Sequence, residues 1–306
     1  MSPDASQALL ELGRWLRGVG YRFVTVTPET HRRVLAHPRT SPEQPSLRDV
    51  FGWNRPFSRG AVPNEVFDWL RSAGALQETP DGYRSAVRFS SLGVNLFVHS
   101  GYPPQQVDTV FFGPDTYRFC SAVQRAGIDA RAVVDVGCGT GAGGIVCTAP
   151  LRRVVLADVS ERALEFAAIN AALAGIEEIE LVQSDVLASV EGPFDLVIAN
   201  PPYLRDPLGR TYRDGGGNYG EGIATRIAIE ALDRLESGGT LLLYTGSAIV
   251  DGHDTFLESV SPVLATRAMH VRYEELDPDV FGEELASGAY ERAERIAAVF
   301  LTVKVS

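Results

Sequence analysis

The sequence predicts an α/β protein: a seven-stranded, mostly parallel sheet with an antiparallel last strand, preceded by a smaller α+β segment. Three observations carry this expectation. From about Thr109 onward, apolar strand-like runs alternate with helical segments, the pattern of a parallel sheet covered on both faces. The first run leads directly into a glycine-rich loop, Gly137-Cys138-Gly139-Thr140-Gly141. The fourth, Phe194 to Ala199, ends in Asn200-Pro201-Pro202-Tyr203. Two successive prolines cannot donate to a sheet ladder, so pairing must stop there, and open α/β sheets bind ligands at that end of their strands.

The chain is expected to divide into an amino-terminal domain, residues 1–108, and a larger domain, residues 109–306. In the first, Leu9, Leu12, Leu16 and Val19 form an apolar stripe at helical spacing, interrupted by Gly13 and Gly18. Short helices follow near Ser46 to Phe51 and from Pro63 to Ala73. Strands Leu76 to Glu78 and Tyr83 to Phe89 flank a Pro80-Asp81-Gly82 turn, and Leu96 to His99 adds a third. Helices followed by a hairpin suggest a winged-helix-like module, which alone does not establish nucleic-acid binding.

In the larger domain strands are expected at Ala132 to Val136, Val154 to Asp158, Glu180 to Ser184, Phe194 to Asn200, Thr240 to Tyr244, Met269 to Leu276 and Ala297 to Val305. Helical segments separate the first five. Ser160 opens one that runs through Ala172, and another spans Glu221 to Leu235, ended by Ser237-Gly238-Gly239. The last two strands lack a parallel crossover and are read as an antiparallel pair at one sheet edge.

Composition narrows the function classes. The 306 residues are 45% hydrophobic, with no charged-then-apolar leader at Met1 and no run of about 18 apolar residues, so secretion and membrane insertion are not expected. Cys120, Cys138 and Cys147 lack metal-ligand spacing and read as reduced thiols in a cytoplasmic protein without a metal site. A net charge of −11 argues against gripping nucleic acid by charge alone. Lys304 is the only lysine, and the basic residues of the front segment are all arginine, including Arg14, Arg17, Arg22, Arg32, Arg33, Arg39, Arg55 and Arg59.

The glycine loop turns tightly and lets a ligand approach the backbone, and the helix after it favours an anionic group, although nicotinamide and flavin enzymes use similar loops. Asp135 is an acid at an otherwise apolar strand position, suited either to capping loop amides or to orienting the loop on a ligand. Asp158 ends the second strand about twenty residues after the loop, where a carboxylate can accept both ribose hydroxyls; as an alternative it caps the next helix, a task Ser160 can also take. Asp185 follows the third strand, placed to accept an adenine amine while Val186 covers the ring, or simply to sit exposed in a turn.

In order and spacing these features resemble a class I S-adenosylmethionine-dependent methyltransferase over residues 109 to 305. The resemblance implies S-adenosyl-L-methionine as cofactor, bound by Thr116, Asp135, Gly137, Cys138, Gly139, Gly141, Asp158, Val159, Asp185, Val186 and Asn200. Thr116 enters through Phe112-Gly113-Pro114-Asp115-Thr116-Tyr117, similar to the family's segment before the loop. Asn200, Pro201, Pro202 and Tyr203 resemble the turn that methylates a planar NH2 group, with the Asn200 amide oxygen and the Pro201 carbonyl accepting its two N–H bonds and Tyr203 stacking on the flat acceptor.

Two subfamilies compete for the substrate. Glutamine-N5 methyltransferases of peptide-release factors carry a glycine-rich stretch and a helix after the turn, as do Gly215 to Gly222 and the segment from Ile223 here. That resemblance implies a protein glutamine side chain as acceptor, although the front segment does not read as that family's all-helical substrate domain. The alternative is an adenine-N6 or guanine-N2 methyltransferase of ribosomal or transfer RNA or DNA, with the front arginines as a phosphate track. A cofactor-binding assembly protein without turnover is a third reading, which the intact turn and loop oppose.

Overall fold

The protein is described here by a computed structural model covering residues 1–37, 45–103, 108–147, 153–266 and 269–306. Arg39 of the front arginines lies outside the described residues. The chain forms two units. One comprises Met1–Arg118, Gly139–Ala142 and Glu165–Glu177, and the other Phe119–Cys138, Gly143–Leu164 and Glu178–Ser306.

The first unit begins with helix α1 (Pro3–Gly18), whose Ser2 side chain caps the Ala5 amide. Leu9, Leu12 and Leu16 are fully buried as their spacing predicts, whereas Val19 lies past the helix end and is exposed. Gly13 has a packing reason: a Cβ there would sit 2.7 Å from the Leu173 side chain. Helix α2 (Pro28–Ala36) was not expected. Helix α3 (Leu47–Phe51) starts at a capping box of Ser46 and Asp49, and α4 (Asn64–Ser72) follows.

Two antiparallel hairpins then form, β1 (Leu76–Thr79) with β2 (Gly82–Ser85) and β3 (Val87–Leu92) with β4 (Asn95–Ser100). The expected single strand Tyr83 to Phe89 is therefore broken at Ala86. The Ser85 hydroxyl accepts the Val87 amide and donates to its carbonyl, closing a tight local turn between the hairpins.

Helix α5 (Pro114–Ala126) leads to the second unit, where β5 (Ala132–Val136), α6 (Ala142–Val146), β6 (Arg153–Asp158), α7 (Glu161–Ala174), β7 (Glu180–Gln183), β8 (Phe194–Ala199), α8 (Gly222–Leu232) and β9 (Leu235–Val250) alternate. After β9 come a two-residue strand β10 (His253–Asp254), α9 (Thr255–Leu264), β11 (Met269–Asp277) and β12 (Ala293–Val305). The sheet order is β11-β12-β9-β8-β5-β6-β7, with β10 paired antiparallel to β9.

Strands β5 to β9 pair in parallel, and the last strand, β12, runs antiparallel to both neighbours, inserted between β9 and β11. Each central strand buries both faces: Val134, Val155, Val197, Leu241 and Val299 are fully buried. One expectation is corrected. Helix α8 ends at Leu232, and Ser237-Gly238-Gly239 lies within β9 rather than terminating the helix. Helix α9, between β10 and β11, was not among the expected helices; its Asp254 cap accepts the Leu257 amide at 2.8 Å.

Candidate active site

The register of the central strands builds the site. Val136 at the end of β5 lies opposite Ala157 of β6 and Ala199 of β8, and Asp158 pairs with Gln183 of β7. Gly137, Asp158 and Asn200 therefore leave three adjacent strands at one level, on the carboxyl edge where such sheets bind ligands. Asp185 follows β7 on the same edge.

The glycine loop is held from both of its ends. The Cys138 amide donates to the Ala157 carbonyl at 3.0 Å, tying the loop to β6. Asp135 is fully buried and accepts the Gly144 amide at 2.8 Å, which fixes the start of α6. Burial, only partly offset by that amide, pushes its carboxyl up to about 7, with Asp158 adding to the rise. Burial likewise raises the Cys138 thiol, keeping it neutral.

In the first unit Asn170 of α7 accepts the Val98 amide at 2.7 Å and donates to the carbonyls of Val98 and Thr140, both at 3.0 Å. It thus anchors the loop at Thr140. The sequence reading missed Asn170, since a lone Asn in a helix gives no signal of its own.

The loop fits a ligand that meets the backbone. Gly137 and Gly139 adopt φ of +66° and +53°, and a Cβ on either would meet nothing within 4 Å. Side chains at these positions would fill open space that the glycines leave to a ligand. Asp158 and Asp185 supply acceptors of the kind that ribose hydroxyls and an adenine amine require.

Asp158 is not entirely uncommitted, because its Oδ1 accepts the Ser160 amide at 2.9 Å. Ser160 takes the helix cap, accepting the Ala163 amide at 3.3 Å. Val159 beside it is 54% exposed, an apolar surface next to this carboxylate. The Asp185 side chain is 69% exposed and ion-paired with Arg226 of α8 at 3.0 Å. Arg226 also donates to the Asp185 carbonyl at 3.0 Å, and Glu230 accepts the Leu187 amide at 3.1 Å. Helix α8 therefore positions the loop, a relation the sequence reading missed. Val186 holds φ of +54°, unusual for a β-branched residue, and packs against the sheet core.

The Asn-Pro-Pro-Tyr turn departs from expectation at its aromatic end. The Tyr203 ring does not project: it is 6% exposed, set edge-on to Tyr244 and Phe281 with centroids 6.3 and 5.9 Å away. Gly246 of β9 makes room for it, since a Cβ there would lie 2.2 Å from the ring. Asn200 is half-buried, and among the described residues no group hydrogen-bonds its side-chain amide.

The glycine-rich stretch after the turn lies against it, backbone to backbone. A Cβ on Gly215 would fall 2.7 Å from the Pro202 carbonyl oxygen, and one on Gly220 would fall 2.1 Å from that of Tyr203. The Gly215 amide donates to Leu204 at 2.8 Å, and Glu221 accepts the amides of Asn218 and Tyr219 at 3.0 and 2.8 Å. The buried Tyr290 hydroxyl, between β11 and β12, accepts the Arg205 amide at 2.9 Å and donates to the Tyr219 carbonyl at 3.1 Å. Thr116, in the first unit, is buried, and its hydroxyl accepts the Gly113 amide at 3.2 Å. Its observed work is to fix the start of α5.

The strand order, with the glycine loop, Asp158, Asp185 and the turn all on the carboxyl edge, is the arrangement of the class I methyltransferase fold. Residues 116–260 match the family model described as methyltransferase small domain. The chain is 38% identical over 128 residues to a release factor glutamine methyltransferase of Deinococcus radiodurans, covering 38% of this chain and 46% of that protein.

A putative protein N5-glutamine methyltransferase of Methanocaldococcus jannaschii is 29% identical over 157 residues, covering 48% of this chain and 78% of that one. The chain spans about half the length of the first curated relatives it matches. Among solved structures, a tRNA m1G37 methyltransferase from M. jannaschii aligns with a TM-score of 0.51 at 17% identity, over 72% of this chain and 55% of that one. A putative SAM-dependent methyltransferase from Streptococcus mutans aligns over 100% of this chain and 82% of that one, with a TM-score of 0.50 at 13% identity. At such identities these structures speak to the fold alone.

Proposed function

We propose that the protein is an S-adenosylmethionine-dependent N-methyltransferase whose acceptor is the side-chain amide of a protein glutamine, of the kind found in a peptide-release factor. The observation that carries this is the Asn200-Pro201-Pro202-Tyr203 turn at the carboxyl end of β8, one strand from the glycine loop. Similarity to glutamine methyltransferases supports the choice of acceptor. So does the net charge of −11, which suits a protein partner better than a polyanion.

The residues divide the work. Gly137, Cys138, Gly139 and Gly141 cradle the cofactor's methionine end, with Asp135 and Asn170 holding the loop in shape. Asp158 takes the ribose hydroxyls beside Val159, and Asp185, steadied by Arg226, takes the adenine amine above Val186. When bound, S-adenosylmethionine supplies an electrophilic methyl group on a sulfonium sulfur.

An amide nitrogen is a poor nucleophile because its lone pair is conjugated with the carbonyl. Asn200 Oδ1 and the Pro201 carbonyl oxygen accept its two N–H bonds, which favours a pyramidal nitrogen and aims the lone pair along the transfer line. The new N–C bond would form as the S–CH3 bond breaks, leaving a neutral thioether, and the methylated nitrogen would give up one N–H proton to solvent. No strong base is required, since positioning supplies most of the acceleration.

The test is to incubate the enzyme with methyl-labelled cofactor and separated cellular pools of protein, RNA and DNA. Label in protein, at glutamine, is expected. Label confined to nucleic acid would overturn the glutamine reading.

A further inference from the structure

Phe281 stands in the connection between β11 and β12. It is a bulky residue with φ +55° and ψ +38°, left-handed backbone that side chains of its kind rarely adopt. Such a conformation persists only where neighbours impose it, and residues of this type gather at functional sites. The neighbours are on view. The Val280 amide donates to the Ile296 carbonyl at 2.8 Å, pinning the residue before it to β12. The Glu284 amide donates to the Phe281 carbonyl at 2.8 Å, closing a short 3-10 helix, Gly282–Ala286.

The same connection between β11 and β12 is fastened to the segment that follows the Asn-Pro-Pro-Tyr turn. Glu284 pairs with Arg213, whose carbonyl accepts the Leu204 amide at 3.1 Å, and the Tyr290 hydroxyl bridges Arg205 and Tyr219. These ties hold the Phe281 ring edge-on to Tyr203, at 5.9 Å between centroids and 72° between planes. Tyr203 is buried, while Phe281 is only half-buried. Of the two rings, Phe281 is the more exposed.

We propose that Phe281 is a positioning residue for methyl transfer, its ring forming the flat wall against which the acceptor's planar NH2-bearing group lies while Asn200 and Pro201 hold the N–H bonds. This rests on the reading of the turn given above and reassigns the stacking role from Tyr203, whose ring supports Phe281 from below. A planar amide lies well on an aromatic face, and the fixed backbone presents that face without an entropic cost at binding. Specificity for flat acceptors follows, because a tetrahedral amine cannot use the wall.

The test uses the full-length enzyme, labelled cofactor and a purified unmodified bacterial release factor as acceptor. Four variants, Phe281→Leu, Phe281→Ala, Phe281→Gly and Phe281→Trp, are compared for acceptor KM and kcat, cofactor affinity by calorimetry and thermal midpoint. Phe281→Gly removes the ring and relaxes the backbone together. The expected result is a loss of about tenfold or more in kcat/KM for the acceptor in the Leu, Ala and Gly variants, with cofactor affinity unchanged and Phe281→Trp within about threefold of wild type.

Full turnover in Phe281→Leu, or a parallel loss of cofactor affinity in every variant, would overturn the proposal. If the wild type labels RNA and no release factor, the glutamine reading fails on that result alone. The variants are then run on the labelled RNA. The same pattern of Leu loss and Trp rescue there upholds the flat wall, and its absence overturns it.

Discussion

At the residue scale two carboxylates make distinct predictions. Asp158 gives one oxygen to the Ser160 amide, and in the proposed site its carboxylate also accepts the ribose hydroxyls. Asp158→Ala should weaken S-adenosylmethionine binding by about a hundredfold, the loss of charge-assisted hydrogen bonds, and unchanged affinity by calorimetry would refute the assignment. Asp135 is held neutral by burial, its carboxyl raised from 3.8 to about 7. The native protein therefore keeps a proton that the unfolded chain releases across that interval. Its contribution to stability is complete below about pH 4 and is lost as pH rises to about 7. Asp135→Asn, which still accepts from Gly144, should remove this slope. Denaturant titrations of wild type and variant that run parallel across pH 4 to 7 would contradict it.

Among the elements, the segment from Leu204 to Gly222 is the one whose order the turn depends on. Gly220 and Gly215 bring its backbone against the carbonyls of Pro202 and Tyr203 more closely than any Cβ permits. Gly220→Ala should cost about 2 kcal/mol and depress transfer while leaving cofactor affinity intact, since the glycine loop is untouched. Loss of both together in kinetics and calorimetry would count against it.

Asp206 anchors the same segment. Its side chain is 1% exposed and takes Arg210 through both oxygens at 2.7 and 2.6 Å, which holds its carboxyl down to about 2. The stability this pair provides is present above about pH 4 and is lost as pH falls through about 2. Amide exchange in residues 204–214 should accelerate in that acid window in the wild type and already at neutral pH in Asp206→Asn. Equal protection in the two proteins at neutral pH would sink the anchor.

For the whole molecule, much of the sheet was legible because its strands are apolar on both faces and end on residues that cannot continue a ladder, such as Gly137 and Pro201. The antiparallel last strand was legible from the missing crossover helix. Helix α2 escaped notice although Thr27, Pro28 and Glu29 form a cap signal, because among its residues only His31 is buried and no apolar stripe announces it. Helix α9 was hidden behind β9, whose apolar run extends far beyond Tyr244.

At the site, the carboxyl-edge residues could be read from spacing, whereas their supports could not. Asn170, Arg226 and Tyr290 lie 30, 41 and 71 positions from the groups they hold, and single polar residues carry no pattern. The burial of Tyr203 depended on Gly246, a glycine whose reason appears only once β9 lies beneath the turn.

The central claim is that Asn200 works on the acceptor amide and not on the fold or the cofactor. Its most direct test is mass spectrometry of a purified release factor incubated with S-adenosylmethionine and either wild-type enzyme or Asn200→Ala, the variant first shown to bind cofactor. A single methyl group on a glutamine side chain with the wild type, absent with Asn200→Ala, is the predicted result. Methylation by the variant at the wild-type rate, or none on glutamine by the wild type, would contradict it.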